Sequence, residues 1–327
     1  MKILITGGAG FIGAQLAKEI INRFPEYEIT IFDKFNNRER RENRNFKYLG
    51  DYKNINELDV KIINGDLSKQ YDVQRLLEFD FDVIFHQGAI SDTTVLDQEE
   101  VLKTNTISFE YFIDYCRINN KRLIYASSAG TYGNSKSPNI VGLGEIPENI
   151  YGFSKLQMDK ITRKNLNQNN NLNIVGLRYF NVYGPGELYK RKTSSMILQL
   201  AKQVIEHRKV RLFKHGEQSR DFVYIKDVVN ANILAMNAKS GIYNIGSGVS
   251  RSFNDIIYIL EKYFNYNISI EYIDNPFDFY QNNTCADLSL STKFLNYYPE
   301  FNLEKGIYDY LDIIKSYTSF QWNSYHE

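Results

Sequence analysis

The stretch KILITGGAGFIG, residues 2–13, decides how the rest of the chain is read. Lys2 to Thr6 is an apolar strand pattern, and an amphipathic helical pattern runs from Phe11 to Phe24. Between and within them, Gly7, Gly10 and Gly13 stand as GxxGxxG. Glycine at these places allows a tight strand-to-helix turn, lets a pyrophosphate approach the backbone, and lets helix pack on strand. The helix start then offers free N–H groups and a positive dipole end to phosphates. A second apolar run, EITIFD (28–33), ends in Asp33, 20 residues beyond Gly13, where an acid meets adenosine ribose hydroxyls. The pattern predicts a dinucleotide-binding turn.

Outward from this turn, short apolar runs alternate with helical patterns. Strands are expected at Lys61 to Asn64, Asp82 to His86, Arg122 to Ser127 and Asn173 to Tyr179. Helices are expected over Glu99 to Asn119 and from about Tyr151. Parallel strands need crossovers, so the alternation predicts an α/β fold: a Rossmann-type, doubly wound parallel sheet with both faces covered. After residue 180 the regularity lapses. Helices near Thr193 to His207 and Lys226 to Ala238 mix with strands at Val210 to Phe213, Gly241 to Ile245 and Ile268 to Ile273. The expected division gives residues 1–180, with return segments near 222–247, to the dinucleotide. Residues 181–221 and 248–327 form a smaller α/β substrate-binding domain.

Composition narrows the function. The 327 residues carry 39 Lys+Arg and 39 Asp+Glu, a net charge of zero, which opposes a protein that neutralises many nucleic-acid phosphates. No apolar run approaches the ~20 residues of a membrane span, and the glycine-broken N-terminus reads as a strand rather than a signal peptide. Cys116 and Cys285 form no CxxC pair, and the four histidines have no close mutual spacing. No metal site is expected, and the reducing cytoplasm is the expected setting.

The sequence YGFSK places Tyr151 and Lys155 at i,i+4, on one face of a helix. A lysine ammonium beside a phenol is expected to lower its pKa towards working pH, so that it can exchange a proton with a sugar hydroxyl. With 25 tyrosines in the chain, this spacing alone is weak. Upstream, however, ASSAGTYG (126–133) puts serines at the carboxyl end of a strand, facing the crevice where such sheets bind ligands. The nicotinamide cofactor's type is left between two readings. Asp33 alone favours NAD, whereas Lys34, Arg38, Arg40, Arg41 and Arg44 could neutralise the extra phosphate of NADP.

Taken in order, GGAGFIG, ASSAGTYG, YGFSK and RYFNVYGP resemble the extended short-chain dehydrogenase/reductase family acting on nucleotide sugars. HQGAISDTT (86–94), NIYGFSK (149–155), NVYGP (181–185), KRKTSSM (190–196) and RDFVY (220–224), with Tyr280, are similar to its ADP-heptose 6-epimerase branch. Gln87 in place of a glutamate and Gly186 in place of an arginine are departures. The resemblance implies NADP-dependent epimerisation of ADP-D-glycero-D-manno-heptose at carbon 6, through a 6-ketone, for lipopolysaccharide inner core synthesis. It implies Tyr151, Ser128 and Lys155 as catalytic residues, with Lys190 as the second proton carrier and Lys192 its competitor. It implies cofactor contacts from Gly7, Gly10, Phe11, Ile12, Gly13, Asp33, Lys34, Arg38, Asp66 and Leu67. Gln87, Gly88, Ala89, Ser91, Asn105, Lys155, Val182 and Lys190 complete that set. The substrate residues implied are Ser128, Asn181, Ser194, Phe213, Arg220 and Tyr280, and the implied assembly is a homo-oligomer, a pentamer. The alternatives are another nucleotide-sugar epimerase or 4,6-dehydratase, and a non-catalytic NADP-binding sensor. Ala129-Gly130-Thr131 after Ser128, where dehydratases carry an Asp-Glu pair, counts against the dehydratase.

Overall fold

The computed structural model describes residues 1–35, 48–168, 172–274 and 283–317, apart from the side chain of Lys192. The first half alternates as expected: β1 (Lys2–Thr6), α1 (Phe11–Arg23), β2 (Glu28–Asp33), β3 (Lys61–Asn64), α2 (Gln70–Leu76), β4 (Val83–His86). Next come α3 (Gln98–Leu102), α4 (Ser108–Asn119), β5 (Arg122–Ser128), α5 (Ile150–Gln168) and β6 (Ile174–Tyr179). The single helix expected over Glu99 to Asn119 is split by a π-helical turn at Lys103–Ile107.

Among the described residues the main sheet has seven strands. One more strand, β10 (Gly241–Ile245), joins it, and the order is β10-β6-β5-β4-β1-β2-β3, parallel throughout. Alternation sends Ile3 and Ile5 of β1 into the apolar layer shared with α1, and Leu4 into the opposite layer with Phe109 and Phe112 of α4. The expectation of strands buried on both faces fails at β3. It is the sheet edge, and its Ile62 is half exposed.

The remaining elements are β7 (Asn181–Tyr183), α6 (Met196–His207), β8 (Lys209–Phe213), β9 (Ser219–Tyr224), α7 (Ile225–Ala235), β11 (Ser250–Ser252), α8 (Phe253–Phe264), β12 (Ser269–Ile273), α9 (Ser289–Leu295) and α10 (Leu303–Lys315). β11, β9 and β7 form a three-stranded sheet, and β12 pairs with β8 in parallel. One apolar cluster runs from Leu16 and Ile20 of α1 through Val223 and Val228 to Ile256 of α8 and Ile307 of α10. None of the described helices is long and apolar enough to cross a membrane.

Candidate active site

The strand order reverses between β1 and β4, and in open α/β sheets ligands bind outside the strand ends at such a point. A cleft of about 1020 Å³, counting the part open to solvent, lies there. Gly7 takes φ +65°, and a Cβ on it would stand 2.6 Å from the Gly88 Cα. No side chain caps α1 at Gly10, so its first N–H groups remain for a ligand beside Gly7, Gly10, Phe11, Ile12 and Gly13, all of which line the cleft. This cradle fits a nicotinamide dinucleotide.

At one end, the Ala9 N–H donates to Asp33 Oδ2 (3.0 Å) and the Phe35 N–H donates to Oδ1 (2.9 Å). Burial nevertheless raises the Asp33 carboxyl above its ordinary range. Lys34 pairs with Asp66 Oδ2 at 2.7 Å and lies over the Tyr48 ring. Burial tends to lower its amine, but Asp66 and Tyr48 outweigh that and raise it. Leu67, Gln87, Gly88, Ala89 and Ser91 line the middle of the cleft. The Gln87 amide donates to Asn232 Oδ1 (3.0 Å) and accepts from the Tyr179 hydroxyl (3.1 Å).

Tyr151, Lys155 and Lys190 face the other end together. Ser128 Oγ accepts from the Gly130 N–H at 3.0 Å and shares a hydrogen bond with Tyr151. The expectation that Lys155 lowers the Tyr151 phenol is corrected. Burial raises the phenol and the Ser128 hydrogen bond offsets only part of this. The Lys155 amine instead donates to the Ala126 carbonyl at 2.7 Å, and burial pushes it down to about 8 against the pull of Asp159. Burial likewise lowers Lys190, opposed by Glu187, and its Nζ lies 5.5 Å from the Phe11 ring centre.

Several expected residues stand elsewhere. Asn105 is buried off the lining: its amide clamps both the N–H and carbonyl of Ile90 and donates to Ser154 Oγ. Asn181 and Val182 lie on β7, Ser194 follows the turn after Lys190, Phe213 ends β8, and Arg220 sits on β9, all outside the lining of this cleft. Arg220 is buried, donates to the Ser219 carbonyl at 2.9 Å and lies over Phe253. Arg38 and Tyr280 fall outside the described residues. The sequence reading missed Tyr48, Leu49, Gly50, Thr104 and Tyr179, which also line the cleft. Gly50 passes so close to Asp33 that a Cβ there would collide with the carboxylate, an approach that no residue pattern announces. Of the two serines expected to face the crevice, Ser127 lines the cleft and donates to Asp159 Oδ2 at 2.9 Å, whereas Ser128 is off the lining and reaches it through Tyr151. Among the described residues no His/Cys/Asp/Glu cluster could hold a metal.

The cleft and its fold define a nicotinamide-dependent enzyme, and the comparisons agree. The profile of the NAD dependent epimerase/dehydratase family matches residues 3–246, and the chain belongs to that family. It is an isomerase of the epimerase type. An ADP-L-glycero-D-manno-heptose-6-epimerase of Brachyspira hyodysenteriae is 34% identical over 96% of this chain and 98% of its own. The crystal structure of the Helicobacter pylori ADP-L-glycero-D-manno-heptose-6-epimerase superposes with a TM-score of 0.89 at 45% identity, covering 97% of this chain and 96% of that one. A Bacillus cereus UDP-glucuronic acid 4-epimerase, in complex with UDP-glucuronic acid and NAD, gives 0.81 at 28% identity, covering 96% and 99%.

Proposed function

We propose that this protein interconverts ADP-D-glycero-D-manno-heptose and its L-glycero epimer at carbon 6, with NADP as cofactor. The product would serve lipopolysaccharide inner core synthesis. The observation that carries the reading is the meeting of Tyr151 and Lys190 in one cleft from two different elements, α5 and the turn after β7. An epimerase must serve both faces of one carbon, and two proton carriers on separate elements suit that need. Near-full-length likeness to heptose epimerases supports the choice of sugar.

Tyr151 holds a proton at the carbon-6 oxygen in one orientation of the sugar, with Ser128 hydrogen-bonded to the same oxygen. Lys190 does the same in the other orientation. When bound, the nicotinamide supplies reversible oxidation of the carbinol carbon. Lys155 orients the nicotinamide ribose, and the N–H groups opening α1 hold the pyrophosphate. Lys34 and Arg38 meet the 2′-phosphate. Residues 1–180 with 222–247 carry the dinucleotide, while 181–221 and 248–327, with Asn181, Ser194, Phe213, Arg220 and Tyr280, enclose the sugar nucleotide. The protein works in the cytoplasm as a homo-oligomer.

The test is to denature the purified protein, identify the released dinucleotide, and follow ADP-D-glycero-D-manno-heptose by proton NMR. NADP release and a shift to the L-glycero epimer, with no net rise in NADPH absorbance, are expected. Steady NADPH accumulation would make it a dehydrogenase. Turnover of UDP-glucuronic acid alone would move it to another branch of the family.

A further inference from the structure

We propose that Glu187 is the positioning residue of Lys190: one buried carboxylate fixes the turn that carries the amine and sets a negative charge beside it. The inference rests on the reading of Lys190 as a proton carrier.

Glu187 is fully buried. A buried carboxylate is costly unless hydrogen bonds satisfy it. Here the Gly184 N–H donates to Oε1 at 3.2 Å, the Ser195 hydroxyl donates to Oε1 at 2.7 Å, and the Ser195 N–H donates to Oε2 at 2.5 Å. Gly184 precedes the turn Leu188–Thr193 and Ser195 follows it, so one side chain ties both ends of the segment bearing Lys190. Inside it, the Lys190 N–H donates to the Glu187 carbonyl at 2.9 Å, and Thr193 Oγ1 donates to the Lys190 carbonyl at 2.7 Å. The next residue, Arg191, is held at φ +55°, ψ −125°, a conformation that persists for a non-glycine residue only where its surroundings impose it. Strain of this kind gathers at sites that need a fixed geometry.

Burial raises the Glu187 carboxyl, while the Lys190 ammonium and the Ser195 and Gly184 donors pull it back towards the charged form. Tyr310 of α10 and Tyr317 beyond it face the carboxylate, and Tyr183 of β7 feels its field; all three are neutral phenols. Across the cleft, Tyr151 of α5 and Phe11 of α1 add no charge. Lys155 of α5, and Asp33 and the Lys34–Asp66 ion pair at the far end, are the other charged groups of the lining. The Glu187 charge favours the Lys190 ammonium and opposes burial, so the amine can both accept and return a proton.

The experiment measures Lys190 itself, by pH-dependent acylation of the holoenzyme read by peptide mass spectrometry, beside the pH profile of turnover. Glu187→Gln keeps the shape and removes the charge. The Lys190 labelling midpoint should move to lower pH, and kcat should fall by about 10- to 100-fold with the dinucleotide retained. An unmoved midpoint overturns the charge role. Should Glu187→Gln not fold, Ser195→Ala keeps the charge but frees one tie. A lower kcat at an unchanged KM supports the proposal, and wild-type kcat overturns the positioning role. If the midpoint moves in Glu187→Gln while Lys190→Met stays active, Glu187 and Lys190 are coupled as argued and the proton-carrier reading is what falls.

Discussion

Burial acts in opposite directions on Tyr151 and Lys190, because it favours the neutral form of each. It raises the phenol and lowers the amine. The two shifts bring the amine down and take the phenol up, which draws the pKa values of the two groups away from the order they have in water. Tyr151→Phe removes one hydroxyl and keeps the ring. Turnover should fall ~10²–10⁴-fold with the dinucleotide still bound. Retention of more than about half the wild-type rate, far above that range, would exclude Tyr151 as the proton carrier. Lys190→Met should cripple conversion of both epimers and spare cofactor retention, while Lys192→Met should stay near wild type. The reverse result gives the role to Lys192, and indifference to both leaves a mechanism through Tyr151 alone. The position of Tyr151 and Lys155 was legible because i,i+4 spacing at a helix start is local. Their electrostatics were not, since the partner of Lys155 is the Ala126 carbonyl 29 residues away, on β5.

At the scale of elements, the strand–turn–helix at the N-terminus is the part on which the cofactor site depends. Gly7 combines a left-handed φ with a backbone neighbour that a Cβ would strike. Gly7→Ala should lower Tm and yield protein that purifies without dinucleotide. The control is Gly142→Ala, where φ is +94° but nothing lies within 4 Å of the added carbon. It should carry backbone strain on the order of 1–3 kcal/mol and keep its dinucleotide. Equal dinucleotide content in the two variants would mean that the turn does not hold the pyrophosphate. Such a turn is legible because its glycines answer a local steric demand. The π-turn at Lys103–Ile107 was not, since what it serves is distant: it presents Asn105 to Ile90 and Ser154. β7, β9 and β11 were also missed: three residues leave β7 and β11 no periodicity, and the buried Arg220 and Asp221 break the apolar pattern of β9.

Over the whole molecule, the return of β10 to the main sheet was readable as an apolar run. The continuity of the core from α1 to α10 was not, because amphipathic faces do not name their partners. That core fixes how the protein responds to acid. His86, buried against Phe112 with Nδ1 at 2.9 Å from Thr6 Oγ1, is pushed down to about 3 from 6.5 by burial and then by the Lys155 charge. Between those pH values the unfolded chain holds a proton that the fold refuses, so stability falls as pH drops. Glu145 acts with the same sign lower down. Burial would raise it, but Arg163 and Arg178 hold it near 2 against an ordinary 4.5, and its contribution is lost as pH falls through that window. Asp227 opposes both. Burial raises it to about 6 from 3.8 despite the Glu300 and Phe301 N–H donors, so the fold binds its proton first and gains stability as pH falls from 6 to 3.8. Each such proton changes stability by about 1.4 kcal/mol per pH unit. Tm should therefore decline little between pH 6 and 4.5, where His86 and Asp227 cancel, moderately from 4.5 to 3.8, where Glu145 joins His86 while Asp227 still opposes them, and most steeply from 3.8 to 3. Asp227→Asn keeps one acceptor for the two N–H groups and removes the opposing titration, so its decline should begin near pH 6.5. Scanning calorimetry of both proteins from pH 7 to 3 checks this, and an unchanged profile in Asp227→Asn would show that the plateau has another origin.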